Sequence, residues 1–363
     1  MTTAAEQNDQ NELRDILLAS AGKLFEDHAT HEVIQASENN TWPTDLWNAL
    51  EETGISLALV PEDQGGAGLP FTDAMAVLRL SGTYAAPVPL AETLLATAML
   101  SDAGLAVPEG PLSIAPINET DSLTLTQTQD SWSLSGTATR VPWGGSVGHL
   151  AVVARAGEGK MVACVPATDL TSARGTNLAS EPRDTLTFEA QSLPASAVAL
   201  APAGSAGDRL YELGALMRSV QLAGALRRVM EVAVEYVNER KQFGRPLGKF
   251  QAIQQQLALL AGEVVAAGAA VDSAVDTAHT QEARFHIAIA KARAGEAVGF
   301  VAETGHQVHG AIGFTQEYKL HHITKRLWSW RDEFGAETSW QDEIGRSVTA
   351  GGADALWPLL TGS

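Results

Sequence analysis

The sequence holds a single cysteine, Cys164, in 363 residues. That excludes an intrachain disulfide and any metal centre built from several thiolates. Cys164 lies in the apolar run Met161-Val162-Ala163-Cys164-Val165, the setting of a strand residue rather than a nucleophile. Cations are scarce as well: 24 Lys and Arg stand against 43 Asp and Glu, a formal net charge of −19. Nucleic acid and anionic membrane both need a basic face, so neither is expected as a partner. A polyanionic ligand must therefore be drawn by a local cluster of positive charge. No run of the length that spans a bilayer, about 18 residues or more, reads as apolar throughout. The N-terminus, MTTAAEQNDQNE, is polar and acidic. Neither a membrane span nor a signal peptide is expected, and the chain reads as cytoplasmic. A G-x-G-x-x-G between a strand and a helix is also missing, which argues against a nicotinamide-binding βαβ unit.

Apolar residues make up 45% of the chain and charged residues 18%, enough for a sizeable interior and low for a surface that is wet all round. Subunit contacts are expected. The pattern changes twice along the chain. Up to 109 it is helical, with Leu13, Ile16, Leu17 and Leu24, then Leu46, Leu50 and Ile55, interrupted by the glycine-rich loop Val60-Pro61-Glu62-Asp63-Gln64-Gly65-Gly66-Ala67-Gly68-Leu69-Pro70. From 110 to 200 it alternates, as in Ser122-Leu123-Thr124-Leu125-Thr126 and Trp132-Ser133-Leu134-Ser135-Gly136, and ends in an Ala/Pro/Ser/Gly linker over 194–207. From 201 to 363 helical spacing returns. Helices, strands, then helices without βαβ alternation predict a multidomain α+β chain. Its parts are an N-terminal helical domain (1–109), a small antiparallel β domain (110–200) and a C-terminal domain resembling a four-helix bundle (201–363).

Positive charge does collect in one place. The segment 240–251, RKQFGRPLGKFQ, brings Arg240, Lys241, Arg245 and Lys249 together between two amphipathic helices. The first helix carries Leu222, Leu226, Val229, Ala233 and Val237 at steps of three or four, and the second carries Ile253, Leu257, Leu260 and Val264. Gly244 and Pro246 break the helix between them. Arginine forks beside a glycine-softened turn suit phosphate or pyrophosphate oxygens. The plain alternative is a solvated connection whose cations face water.

This stretch resembles the R-x-Q-F-G…F-Q signature of flavin-dependent acyl-CoA dehydrogenases. Gln307-Val308-His309-Gly310-Ala311-Ile312-Gly313-Phe314 resembles the Q-x-x-G-G-x-G-[FY] turn of the same family, and the loop 60–70 its P-E-x-G-G-x-G element. By that resemblance Arg240, Phe243, Gln251, Gln307, Gly310 and Gly313 hold the pyrophosphate and adenosine end of FAD, in a site completed by a neighbouring subunit.

The same resemblance leaves the chemistry without an owner. Thioester desaturation needs a carboxylate to take the α-proton and a flavin to take the hydride. The family places its base in an E-G-[TS] triplet after the glycine turn, or on the helix before the arginine signature. Here those positions are Phe334-Gly335-Ala336 and Gly214, and no acid occurs over 213–230. Nothing resembles the family's T-E-P-x-A-G-S-D loop, and Arg140-Val141-Pro142-Trp143-Gly144-Gly145 is at most a remnant of its W-I-[ST]-N strand. The chain thus resembles the non-catalytic partner of paired-chain acyl-CoA dehydrogenases, such as those acting on CoA thioesters of steroid side chains. That resemblance implies an α2β2 assembly sharing FAD with a second acyl-CoA dehydrogenase-like chain. The assembly would take an acyl-CoA in lipid or steroid catabolism and pass electrons to an electron-transfer flavoprotein. This chain would have no catalytic residue of its own.

Three rivals remain open on the sequence, one of them a scaffold that binds an acyl-CoA or a protein without turnover. A self-sufficient homotetramer would use Glu333 as base, although Asp332 and Glu333 read as an exposed helix end beside Arg331. A metal-binding helical protein would use Glu303-x-x-His306 with His309, His321 and His322, but lacks the second Glu-x-x-His of a di-iron bundle. Trp328, Trp330 and Trp340 either fill a would-be acyl cavity with Phe334 or form ordinary core.

Overall fold

The computed structural model describes residues 4–168, 170–354 and 357–358. The chain divides into two compact units, Met1–Gly214 and Ala215–Ser363.

The first unit opens with α1 (Ala4–His28), α2 (His31–Glu38), α3 (Thr44–Glu52), α4 (Phe71–Thr83) and α5 (Leu90–Asp102). Phe25, Leu46, Leu50, Met75, Leu78, Leu94 and Met99 bury their side chains among these helices. Thr30 starts α2 by accepting the Val33 N–H on its hydroxyl, a side-chain cap of the usual kind. The loop 60–70 needs its glycines. Gly65 and Gly68 have φ of 87° and 57°, and a Cβ on Gly66 would lie 2.1 Å from the Val60 carbonyl oxygen.

The strands that follow are β1 (Leu112–Ala115), β2 (Leu123–Gln127), β3 (Ser131–Pro142), β4 (His149–Ala156), β5 (Gly159–Pro166), β6 (Thr171–Ala173), β7 (Arg183–Pro194) and β8 (Val198–Leu200). They form one sheet in the order β6-β7-β3-β2-β4-β5-β8, with β1 paired to β4. Most pairings are antiparallel, but β1–β4 and β2–β4 run parallel. Alternation sets the inner face: Leu123 and Leu125 are buried while Thr124 and Thr126 are exposed. Leu134, Val141, Leu150, Val152, Val165, Leu186 and Phe188 complete that core. The segment 194–207 is more than a linker, because Val198 is buried and β8 extends the sheet beside β5. Cys164 is a half-buried residue of β5, and burial raises its thiol pKa to about 11.

Helix α6 (Leu210–Glu239) leads into the second unit, which continues with α7 (Gln251–Asp276), α8 (Ala283–His309), α9 (Leu320–Asp332) and α10 (Glu337–Gly351). The expected stripe of α6, Leu222, Leu226, Val229, Ala233 and Val237, is buried throughout. Gly305 lets α8 approach α6 closely, since a Cβ there would stand 2.7 Å from Val229 Cγ1. The expectation about bilayer-length segments is corrected at α7. An 18-residue window of this helix has mean hydropathy 1.6, long and apolar enough to cross a membrane, with 33% of the window buried. Part of that apolarity is packing: Leu260, Val264, Ala267, Val271 and Ala274 form its buried stripe.

Candidate functional site

Helix α6 ends at the first candidate segment. The Arg240 N–H donates to the Tyr236 carbonyl, and the chain then folds back as β9 (Lys241–Gln242) against β10 (Arg245–Pro246). Phe243 and Gly244 form the two-residue turn with φ of 51° and 81°, the double left-handed geometry of a tight hairpin. A Leu247 N–H donating to the Arg240 carbonyl closes its base. The tip is a phenylalanine held out into water, since Phe243 is 90% exposed. Arg245 lays its guanidinium 4.1 Å over the Phe250 ring, which fixes the fork. Arg240, Lys241, Lys249 and Gln251 are exposed beside it, and none of the described ion pairs engages these cations.

The second candidate segment is the end of α8. Gly310 stops the helix with φ of 64° and begins a short turn, Gly310–Phe314. Gly313 is buried: a Cβ there would sit 3.0 Å from His309 Cβ and 3.3 Å from His306 Nδ1. Its part is thus to let the turn close, while Gln307 and Gly310 face water. The two segments meet through a small core in which Ala233, Val237 and Val308 pack with Leu247, Ile253 and Leu257. Sequence positions about 60 apart thereby reach one end of the second unit. His306 and His309 brace the turn from inside. His306 Nε2 hydrogen-bonds Thr324 Oγ1 at 2.9 Å and its ring stacks 4.3 Å from Phe314. His309 contacts the Gly305 carbonyl and the Tyr318 hydroxyl, and stacks on Tyr236 at 4.4 Å. Burial, above all, holds both imidazoles below their usual pKa, helped at His306 by His309. Glu303 is exposed on the same helix, so it and the buried, hydrogen-bonded His306 do not form a ready metal pair.

The third segment is the elbow between α9 and α10. Asp332 is exposed and pairs with Arg331 at 3.2 Å, as expected. Glu333 corrects the expectation: it is buried, and its carboxylate meets the Arg218 guanidinium of α6 at 2.6 Å. The reason is the elbow itself. Glu333 leaves the helix with extended ψ of 140°, and Phe334 and Gly335 follow at φ of 54° and 89°, which turns the carboxylate inward. Phe334, Trp330 and Trp340 are buried around it, and Trp340 Nε1 donates to the Phe334 carbonyl at 2.9 Å. Trp330 and Trp340 therefore serve as core, and Trp328 stacks on His306 at 6.0 Å. Arg218 and Lys291 do not stand out from the sequence motifs. Arg218 is a lone charge inside an apolar helical run, and Lys291 follows the apolar run Ile287-Ala288-Ile289-Ala290; that is the signal the sequence offers.

Comparison with known proteins decides what these segments belong to. The family model "Acyl-CoA dehydrogenase, N-terminal domain" matches residues 9–106, and "Acyl-CoA dehydrogenase, C-terminal domain" matches 209–339. The chain belongs to the acyl-CoA dehydrogenase family. Acyl-CoA dehydrogenase IpdE2 of Mycolicibacterium smegmatis is 28% identical over 324 residues, covering 87% of this chain and 92% of the relative. The structure of the Tcur3481–Tcur3483 steroid ACAD superposes with a TM-score of 0.83 at 28% identity, covering 94% of this chain and 99% of that one. A chain of the ChsE4–ChsE5 complex from Mycobacterium tuberculosis shares the fold, with a TM-score of 0.84 at 24% identity over 96% and 98%.

Trp143, in the turn that follows β3, is buried with its ring edge-on to Trp42 at 5.8 Å, so it is committed to packing. Phe334, where the resemblance implies a base, is buried and carries no ionisable group.

Proposed function

We propose that this chain is the base-lacking subunit of a two-chain, α2β2-type acyl-CoA dehydrogenase, in which it completes the FAD site of its partner. The observation that carries this reading is the hairpin, a 90%-exposed phenylalanine at the tip of a segment that also exposes Arg240, Lys241, Arg245 and Lys249. An acidic chain that holds an aromatic ring and several cations out in water presents a docking element for a flat, anionic ligand. FAD, when bound, supplies the hydride acceptor. This chain's part is to hold its tail: Arg240 and Arg245 offer guanidinium forks to the pyrophosphate. Phe243 offers an aromatic face, and Gln251, Gln307 and the Gly310 backbone offer neutral polar contacts, while Gly313 lets the turn close. The residues fit that half of the cofactor. They do not fit the ring half, because Trp143 is committed elsewhere.

The self-sufficient alternative loses support at Glu333. Its carboxylate is buried and committed to the Arg218 guanidinium at 2.6 Å, so it does not face an open cleft where a substrate proton could be taken. On this reading the assembly desaturates a CoA thioester from lipid or steroid catabolism. The pairing follows the two-chain names of the steroid ACAD and the ChsE4–ChsE5 complex. The electron acceptor is an electron-transfer flavoprotein, and the chain works as three domains, 1–109, 110–200 and 201–363.

The test is the flavin-to-protein ratio of this chain purified alone and after co-expression with a second acyl-CoA dehydrogenase-like chain. The expected result is a flavin-poor lone chain and one FAD for each pair of unlike chains. A lone chain with stoichiometric FAD that an acyl-CoA bleaches would overturn the reading.

A further inference from the structure

Lys291 lies on α8 with no exposed surface. Its Nζ donates to two backbone carbonyls, those of Arg331 and, at 2.7 Å, Gly335. The first belongs to the last turn of α9, where carbonyls lack helical partners. The second lies across the elbow, just before α10. One side chain thus ties both arms of the elbow to α8. Gly295, one turn further along α8, allows the close approach: a Cβ there would sit 3.2 Å from Glu337 Cβ and 3.6 Å from Arg331 Cγ.

The count of donors and acceptors says which form of the amine this pocket fits. A neutral amine has two N–H groups, and the pocket offers two carbonyls. An ammonium has three, and the third would be buried without a partner. None of the described ion pairs gives Lys291 a carboxylate. The charged groups around it are Glu333, already in contact with Arg218; Asp332, exposed and paired with Arg331; Glu337, 3.8 Å from Arg331; and Arg218 itself. They come from α6, the end of α9, the elbow and α10, and none comes from α7. A buried ammonium without its own counter-ion is costly. Two routes relieve that cost: the amine loses its proton, or the elbow lifts and lets water reach it.

We propose that the α9–α10 elbow is a proton-coupled latch, shut over a neutral Lys291 amine and opening to water when that amine takes up a proton. Burial lowers the Lys291 pKa to about 7 from its ordinary 10.5, with Glu333, Asp332 and Glu337 opposing the shift. In the opened elbow the ordinary value returns. Opening therefore takes up a proton between those two values, and the closed state gains stability as pH rises through that window. Below about 7 both states are protonated and the closed state is at its weakest. The latch uses no residue of the flavin-binding hairpin and does not rest on that assignment.

Hydrogen exchange of the full chain, in whatever assembly it is purified, reads the opening constant of amides at 331–340 once intrinsic exchange rates are divided out. In the wild type that constant should fall by about tenfold per pH unit between about pH 8 and 9.5, the slope of one proton taken up on opening. Lys291→Met should be flat over the same range, and amides of β4 and β5 should be flat in both proteins. A flat wild type, or the same slope in Lys291→Met, overturns the latch. If Lys291→Met fails to fold, selective ¹⁵N-lysine labelling of the wild type decides. A buried Nζ titrating near neutrality supports the latch, and an ordinary lysine value overturns it.

Discussion

The hairpin at 240–250 and the elbow at 331–337 both gather charge and aromatic rings in the second compact unit, and they are built in opposite ways. At the hairpin the rings and cations face water, and no described ion pair engages Arg240, Lys241, Arg245 or Lys249. At the elbow Phe334, Trp330 and Trp340 are buried, Arg218 holds Glu333, and Lys291 holds two carbonyls. An exposed, uncommitted charge adds little to stability and stays available to a ligand. A buried ion pair such as Arg218–Glu333 is expensive to disturb and unavailable to a ligand. The two regions therefore separate exposed, uncommitted charge from buried, committed charge within one unit, and each half of that contrast can be broken.

The largest effect is expected at the elbow. Arg218→Met removes one partner of an ion pair whose side chains are both 3% exposed and leaves Glu333 buried without its cation. Such a change typically costs roughly 3–5 kcal/mol, read as a drop in the denaturation midpoint. The double change Arg218→Met with Glu333→Leu should recover much of the loss. A single variant within about 0.5 kcal/mol of wild type, the range of ordinary surface changes, would place the pair in water and remove the contrast. Glu333→Gln separately tests catalysis: dye reduction by the two-chain complex should persist, and its abolition would make Glu333 the base.

At the hairpin the effects should reverse. Arg240→Gln and Phe243→Ala should leave folding within about 0.5 kcal/mol of wild type. Flavin retention by the two-chain complex should fall, for Arg240 by tenfold or more, since a hydrogen bond to a charged group contributes about 1.5–3 kcal/mol. Equal flavin content in wild type and both variants would reduce the hairpin to a solvated connection.

Legibility in the sequence divides along the same line. The α6 stripe is legible because its burial is periodic, and the hairpin because Gly244, Pro246 and four cations interrupt that period. Glu333 is misleading because its neighbours Arg331 and Asp332 obey the local rule for a helix end. Its true partner, Arg218, is 115 residues away, and only the left-handed Phe334 and Gly335 turn the carboxylate toward it. Strand β8 is hidden in an Ala/Pro/Ser/Gly segment because three residues cannot display alternation. The bilayer-like apolarity of α7 escapes notice because Gln, Ser and Gly are scattered among its Ala, Val and Leu.

The smallest expected effect lies between the two regions, in the turn at 305–318 that joins the hairpin's small core to α9. Burial holds His306 and His309 below the usual imidazole range, so the folded turn favours their neutral forms. For a group whose folded pKa is depressed, the contribution is intact above the unfolded value near 6.5 and is lost as pH falls through it. With intrinsic exchange rates divided out, the opening constant of amides in this turn should rise as pH falls from about 7 to 5.5, while that of the sheet core changes less. His306→Asn keeps an amide to meet Thr324 but does not titrate, and it should flatten part of that rise. An identical pH slope in wild type and His306→Asn would detach the two histidines from the stability of the turn. The hairpin would then owe its placement to the apolar cluster around Val237, Val308 and Leu247.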